Sequence, residues 1–220
     1  MQPFYRFSYL ALVILVAEGT CTAQDSAPDA KDAPAFLKLL PQPAPEPWST
    51  ITPKQRFDNY ASQTFSPVAA LGVAAGAAIS QGINSPKEWG QGWGAYGLRA
   101  TSSYGGTLVG NTITFAVSAV VHEDNRYFRS KTEKFGGRLG HVMASPYVSR
   151  NDAGRQHFST SMFLGSAGSS GIPLAWSPRS WQGWNNVGLS YLIWYGQGAG
   201  VNLVREFYPT LTRRFRAKKP

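Results

Sequence analysis

The sequence predicts an all-α protein, a compact bundle of about five to six helices rich in glycine and alanine, which follows a signal peptide and a proline-rich linker. The 220 residues include 43% hydrophobic and only 15% charged residues, so the chain can bury a core and exposes few ionised groups. Several long stretches carry no formal charge and place small residues four positions apart. A hydroxyl side chain followed by proline, which is typical of a helix start, precedes three of the segments.

Residues 1–23 have the order of a secretory signal peptide. Arg6 precedes the apolar residues 10–17, and the small residues Cys21 and Ala23 come just before a polar segment. The apolar run is shorter than the ~20 residues of a permanent membrane span, which favours a cleaved signal. We therefore expect export to the periplasm or cell envelope. Because Cys21 is the single cysteine, a disulfide framework and a cysteine-ligated zinc site are excluded.

The remaining chain is predicted to have three parts. Residues 24–50 contain six prolines and are typical of an extended linker. Residues 51–209 form the predicted helical domain. Residues 210–220 are a basic tail.

Capping and charge patterns predict the helices of this domain. Helices are expected to begin near Thr52, Ser66 and Ser85, and uncharged helices are expected near residues 66–83, 104–121, 158–177 and 184–204. Pro209 is expected to end the last helix. Gly72 and Gly76, and likewise Gly196 and Gly200, are four apart, and this spacing predicts a stripe along which another helix approaches closely.

The uncharged segments have roughly the length of membrane spans, but the charges oppose a simple spanning bundle. With an exported N-terminus, most of the basic residues would lie outside, which reverses the usual positive-inside distribution. We expect a bundle that lies on or partly in the membrane. An outer-membrane β-barrel is the structural alternative, but its strands alternate apolar and polar residues, and residues 69–78 do not alternate.

The net charge of +9 lies in the second half of the chain. Residues 122–220 hold fourteen basic and five acidic residues, whereas residues 1–121 hold seven of each. In an exported protein this charge indicates anionic lipid or an envelope polymer as partner rather than nucleic acid. A solvated basic terminus is the alternative interpretation. The arginines predicted to bind phosphate or lipid headgroups are Arg126, Arg129, Arg150, Arg213 and Arg214.

The densest polar cluster follows the helix at residues 104–121. The candidates for acid–base catalysis or metal binding are His122, Glu123, Asp124, His141 and Asp152. They could serve this chemistry if the fold brought them together. Their spacing matches no metal-binding motif, and we predict no metal and no cofactor. The alternative is a buried network in which arginines hold Glu123 and Asp124 and fix how the helices join. Residues 165–171 lack the GxSxG pattern of a nucleophilic serine and are interpreted as a closely packed or flexible helical stretch.

Several blocks of the chain resemble a family of uncharacterised exported bacterial proteins. They are residues 86–92 (PKEWGQG), residues 122–130 (HEDNRYFRS), Arg138 with His141, residues 148–154 and residues 205–209 (REFYP). The resemblance covers roughly residues 53–214. It implies export and a shared helical body, and it implies no activity and no ligand.

The sequence thus predicts an exported, membrane-associated helical envelope protein with a structural or interaction role. The alternative function is a small hydrolase or metal-dependent enzyme that uses the polar cluster. A subunit of a transporter or channel is a third possibility, which requires polar side chains along a common path. The sequence leaves the oligomeric state open.

Overall fold

The computed structural model describes Pro43, Ala44 and residues 48–217, and for residues 209–217 it describes the backbone alone. The predicted signal peptide and most of the predicted linker lie outside the described residues. The helices are α1 (Pro53–Phe65), α2 (Pro67–Gly82), α3 (Trp93–Val120), α4 (Phe135–Ala144), α5 (Thr160–Gly171) and α6 (Trp184–Ala217). Two short strands, β1 (Val148–Arg150) and β2 (Gln156–Phe158), form an antiparallel hairpin. The prediction of an all-α bundle is confirmed.

Local capping explains where the first two helices begin. Thr52 Oγ1 accepts a hydrogen bond from the Gln55 N–H at 3.2 Å, and Gln55 Oε1 accepts one from the Thr52 N–H at 3.0 Å. This reciprocal pair satisfies two donors at the start of α1. Ser66 Oγ accepts from the Ala69 N–H at 3.2 Å and caps α2 in the same way. Both predicted helix starts are confirmed.

The helix predicted to begin at Ser85 is wrong. A single 3-10 turn, Lys87–Trp89, takes its place, and α3 begins only at Trp93. The reason is the backbone of Gly90 and Gly92, whose φ angles of 70° and 99° lie in the region that favours glycine and interrupts a helix. Trp89 therefore lies in the 3-10 turn and Trp93 in α3.

Pro209 does not end α6, which continues to Ala217. A proline inside a helix removes one N–H donor, while the hydrogen bonds on both sides of it can persist. Most of the predicted basic tail therefore extends the last helix.

Helix α3 lies at the centre of the fold and packs against α1, α2 and α5, while α6 packs against α4 and α5. The α3–α5 contact is the tightest that the glycines record. A Cβ added at Gly110 would lie 2.8 Å from Ser169 Cβ and 3.0 Å from the carbonyl oxygen of Gly165. Only glycine fits at this separation. The interpretation of residues 165–171 as a closely packed helical stretch is confirmed.

The two glycine stripes that the sequence singled out have a different environment. A Cβ at Gly72 of α2, or at Gly196 or Gly200 of α6, would meet nothing within 4 Å among the described residues. Gly76 faces Ser103 of α3 at the ordinary contact distance of 4.0 Å. The close helix-to-helix contact predicted at these stripes is therefore not seen within the described chain at Gly72, Gly196 or Gly200, while Gly76 contacts α3 at an ordinary distance.

The interior of the described chain is small and polar. Glu123 and Glu206 are the largest of its fully buried side chains, whereas Trp93 and Trp184 are 89% and 88% exposed. Large apolar side chains are usually the buried ones in soluble proteins. In the described chain, many large apolar side chains are exposed, while two glutamates are buried beside a few apolar side chains such as Phe128 and Val142.

The hairpin gains a third, shorter partner. The Asp124 N–H donates to the Arg150 carbonyl at 2.7 Å, and the Arg150 N–H donates to the Asp124 carbonyl at 3.1 Å. This bridge holds the segment after α3 beside β1.

Candidate functional site

The end of α3 directs its polar residues to opposite sides. His122 has a φ of 57°, and the Glu123 N–H donates to the Ser118 carbonyl at 3.0 Å. This is the hydrogen bond of a Schellman helix end, in which one residue adopts a left-handed conformation. The turn leaves His122 exposed, where its Nδ1 lies 3.2 Å from Asp152 Oδ2. Glu123 points into the interior.

The Glu123 carboxylate sits at the N-terminus of α5. Its Oε1 accepts from the Thr160 N–H at 2.9 Å, and its Oε2 accepts from the Ser161 N–H at 3.0 Å and from Ser159 Oγ at 2.9 Å. The Ser161 hydroxyl also donates to Oε2. Burial raises the pKa of Glu123. Hydrogen bonds from the side chain and backbone of Ser161, from the Thr160 backbone and from the Ser159 side chain outweigh burial and leave the pKa below its usual value. The carboxylate therefore anchors α5 to the end of α3.

His157 lies between Glu123 and Ser149. Its Nε2 is 3.4 Å from Glu123 Oε1 and 3.3 Å from Ser149 Oγ. A catalytic relay places the hydroxyl at one ring nitrogen and the acid at the other, whereas here a single nitrogen faces both. Ser149 is also fully buried. The arrangement connects the hairpin to the Glu123 carboxylate and lacks the geometry of an activated nucleophile.

Asp124 forms a separate ion pair with Arg126. The carboxylate accepts from Arg126 Nε at 2.9 Å and from Nη2 at 2.7 Å, and Asp124 is buried while Arg126 is partly buried. Arg126 Nη2 also donates to the Ser49 carbonyl at 2.8 Å. This arginine is neutralised by its own neighbour and holds the chain that precedes α1.

Glu206 of α6 is the centre of a second buried network. Its Oε2 accepts from the Tyr127 hydroxyl at 2.8 Å, and its Oε1 accepts from Arg138 Nε at 2.8 Å. Burial raises the pKa of Tyr127, and the hydrogen bond to the Glu206 carboxylate raises it further. The Arg138 guanidinium also lies 4.5 Å from the centroid of the Phe207 ring. The network joins α6 to α4 and to the segment that follows α3.

The structure distributes the five predicted site residues over separate places. His122 pairs with Asp152 at the surface, Glu123 caps α5, Asp124 pairs with Arg126, and the His141 Nε2–H donates to the Phe128 carbonyl at 2.8 Å. Among the described residues, no group of three or more His, Cys, Asp or Glu could hold a metal ion. The predicted convergence on one site is therefore not seen, and the alternative of a buried polar network fits the contacts better.

The predicted partners within that network need correction. Glu123 is held by hydroxyl and amide groups of α5 rather than by an arginine, and the carboxylate that holds Arg138 is Glu206. Sequence reasoning missed Glu206 as a partner. The available signal was that Glu206 is the single acid in the basic stretch after residue 204.

A cavity of about 820 Å³ borders the Glu206 network at Tyr127. It is bordered by α2, α3, the segment after α3, the end of α4, β1 and α6. The wall from α2 is apolar or small and includes Val68, Leu71, Gly72, Val73, Gly76 and Ile79. Gly198 and Gly200 contribute a similar wall from α6.

Two arginines line this cavity without a carboxylate partner. The Arg150 guanidinium lies 3.9 Å from the centroid of the Phe128 ring, and Arg205 Nη1 donates to Asn202 Oδ1 at 2.9 Å. The Nε atoms of both arginines are buried and have no hydrogen-bond partner in the described part of the chain. Burial lowers the pKa of Arg205 to about 10, so this side chain keeps its charge at neutral pH. No described aspartate or glutamate lines the cavity.

The arginines predicted to bind headgroups therefore fall into different classes. Arg126 also borders the cavity but is neutralised by Asp124, while Arg150 borders it unneutralised. Arg129 lies in the segment after α3, and the side chains of Arg213 and Arg214 lie outside the description. Arg205 was not among the predicted residues, although it begins the REFYP block at residues 205–209.

Comparisons of the chain with protein-family models, curated proteins and solved structures found no match. The family resemblance of the sequence blocks stays a prediction. The contacts of the described residues are the basis on which a function can be proposed.

Proposed function

We propose that the chain is an exported, membrane-associated helical envelope protein with an interaction role, in which apolar helix surfaces contact lipid and the basic second half contacts anionic headgroups. The observation that carries the proposal is the inverted distribution of side chains. Leu71 and Ile79 of α2 are 67% and 66% exposed, while the interior holds two glutamates and many small residues. Exposed apolar surface of this kind marks contact with a membrane or a partner.

The α2 region is the best candidate for the lipid contact. Among the described residues, one stretch, Pro53–Gly82, is long and apolar enough to cross a membrane by length and composition, with a mean hydropathy of 1.2 over an apolar window of 18 residues. Only 6% of its apolar window is buried, whereas the core helix of a soluble protein is mostly buried. The 16 residues of α2 extend about 24 Å, less than the ~30 Å of a bilayer core. These dimensions support a helix that lies in or on the membrane.

The charge of the second half supports association with an anionic surface. Basic residues near such a surface contribute on the order of 1 kcal/mol each, and salt weakens this attraction. Residues 205–220 contain Arg213, Arg214 and four other basic residues against one acid. Membrane association is therefore expected to decrease as the salt concentration rises.

Vesicle flotation and cell fractionation test the proposal. The protein should be recovered with the envelope, and it should float with vesicles that contain phosphatidylglycerol more than with phosphatidylcholine vesicles. The double variant Leu71→Ser and Ile79→Ser should lose most of the flotation. Val120→Ser, at a position at the end of α3 that is 78% exposed, is the control and should bind like the wild type.

Two results would overturn the proposal. One is recovery of the whole protein in the soluble periplasm together with no flotation at low salt. The other is unchanged flotation of the α2 double variant. Sedimentation with purified envelope polymer but not with vesicles would assign the interaction to the polymer instead.

A further inference from the structure

We propose that the cavity between α2 and α6 binds one lipid molecule, with its acyl chain against the wall of α2 and its anionic headgroup at Arg150 and Arg205. This inference goes beyond membrane association, which needs only an exterior surface. A lipid held inside the protein has left the bilayer, or has come from solution as a monomer.

The size and lining of the cavity fit such an occupant. Its volume of about 820 Å³ falls within the range of about 300–1,000 Å³ that is usual for small-molecule sites. Val68 and Val73 supply half-buried apolar surface from α2, and the exposed Leu71 and Ile79 border the same space from its outer side. Apolar walls with a small number of placed polar groups are the general pattern of these sites, in which the polar groups fix the orientation of the ligand.

The glycines of the cavity wall leave room for an occupant. A Cβ at Gly72 or Gly200 would meet nothing within 4 Å, and both residues border the cavity. The space that the missing side chains leave is therefore filled by neither α2 nor α6. It widens the cavity along the same faces that supply its apolar lining.

The charges of the lining determine the headgroup. Arg150 and Arg205 are cationic, their Nε atoms lack partners among the described residues, and no described carboxylate borders the cavity. A buried cation without an anion is costly, and a ligand anion would remove this cost. The planar guanidinium group pairs well with carboxylate and phosphate oxygens. The expected headgroup is therefore an anion, and a neutral or zwitterionic headgroup should bind more weakly.

The test uses lipids below their aggregation concentration, so that binding to a membrane surface plays no part. The probes are a fluorescent 16-carbon carboxylic acid, lysophosphatidylglycerol, lysophosphatidylcholine and inorganic phosphate, and binding is followed by fluorescence and native mass spectrometry. We expect one molecule of either anionic lipid per chain and at least tenfold weaker binding of lysophosphatidylcholine. Inorganic phosphate should bind far more weakly than either anionic lipid.

Variants of the cavity sharpen the test. Arg205→Gln and Arg150→Gln should each weaken binding of the carboxylic acid at least tenfold. Arg155→Gln is the control, because Arg155 is exposed and does not border the cavity. Gly72→Leu should weaken binding, because its side chain takes up part of the space beside the wall of α2. Gly188→Leu is its control, since Gly188 also has open space around it but lies outside the cavity lining.

Several outcomes would overturn the inference. They are the absence of saturable monomer binding, equal binding by the wild type and by Gly72→Leu, and equal affinity for inorganic phosphate and for the anionic lipids. Circular dichroism identifies any variant that fails to fold. The variants that do fold then show whether the cavity binds the lipid. Monomer binding without vesicle flotation would contradict the proposed membrane association but not the lipid site.

Discussion

Glycines recur on two pairs of helices, and the two pairs use them differently. Between α3 and α5, a Cβ added at Gly110 would lie 2.8 Å from Ser169 Cβ. On α2 and α6, a Cβ at Gly72 or Gly200 would meet nothing within 4 Å, and both residues border the cavity. We refer to the α3–α5 contact with its capping carboxylate as the closed region, and to the cavity side of α2 and α6 as the open region.

The polar groups of the two regions differ in the same way. In the closed region, each oxygen of Glu123 accepts hydrogen bonds from α5 or its cap. In the open region, the Nε atoms of Arg150 and Arg205 are buried and without partners in the described part of the chain. Buried polar groups are normally satisfied within the fold. The complete set of hydrogen bonds around Glu123 therefore indicates a structural role, and the incomplete sets of the two arginines, which border a cavity, are compatible with a ligand there.

The largest effect is expected for two neighbouring residues of α6. The Glu206 carboxylate has hydrogen-bond partners, whereas the Nε atom of Arg205 has none among the described residues. Glu206→Gln removes the anion that Arg138 contacts at 2.8 Å, and Arg138 is only 18% exposed. Loss of one member of a buried ion pair should lower the free energy of unfolding by about 3 kcal/mol. Arg205→Gln removes a cation without a carboxylate partner and should change it by less than about 1 kcal/mol. Urea unfolding of both variants measures the difference. Equal losses would show that satisfied and unsatisfied groups contribute alike.

The second prediction compares glycines of the two regions directly. Gly165→Ala places a Cβ 2.7 Å from the Gly110 carbonyl oxygen, and this backbone atom cannot move without separating α3 from α5. Overpacking should destabilise the protein by about 2 kcal/mol. Gly72→Ala adds a methyl group in open space and should stabilise α2 by up to about 1 kcal/mol, because alanine is the better helix former.

Thermal unfolding followed by circular dichroism distinguishes the two glycine variants. The melting temperature should fall for Gly165→Ala and rise or stay constant for Gly72→Ala. A lower melting temperature for both would mean that another part of the chain lies close to Gly72. The distinction between closed and open regions would then fail.

The third prediction concerns the pH dependence of the stability that Glu123 contributes in the closed region. Because the pKa of Glu123 in the folded protein lies below its usual value, the carboxylate contributes stability above its unfolded pKa of about 4.3. This contribution is lost as the pH falls through the folded pKa. Glu123→Gln should lower the free energy of unfolding by about 1–2 kcal/mol at pH 7. The NH2 group of glutamine is a donor, and it would face donors at the start of α5 that need an acceptor.

Urea unfolding of the wild type and of Glu123→Gln from pH 7 to pH 3 measures this contribution. The difference in unfolding free energy between them should shrink below pH ~4.3. A constant difference at every pH would show that the charge of Glu123 does not stabilise the N-terminus of α5.

Sequence reasoning succeeded where the structure depends on neighbouring residues. The caps Thr52 and Ser66 bond to residues three positions away, so the starts of α1 and α2 can be read locally. It failed where the backbone angle decides. The φ angles of Gly90 and Gly92 delay α3 until Trp93, and a cap, proline and acid pattern at Ser85 does not reveal them.

The polar sites too are predictable only as far as they depend on residues that are near in sequence. The segment after α3 was correctly identified as the densest polar region, but its partners are distant in the chain. Ser159 lies 36 positions from Glu123, and Glu206 lies 79 positions from Tyr127. Glycine spacing shows where side-chain bulk is missing. It does not show whether a helix, as at Gly165, or a cavity, as at Gly72, occupies the space.

The smallest expected effect lies at the edge of the closed region and tests whether His122 serves the turn or any chemistry. Its φ of 57° strains a residue with a Cβ, and its contact with Asp152 is exposed and therefore weak. His122→Gly removes the strain, partly offset by the entropy of glycine, and should stabilise the fold by about 0.5 kcal/mol. His122→Ala keeps the strain and loses the Asp152 contact, so it should be no more stable than the wild type. If His122→Gly clearly lowered the free energy of unfolding in urea, the imidazole would make a stabilising interaction beyond its weak contact with Asp152. The interpretation of His122 as a helix-end residue would then be wrong.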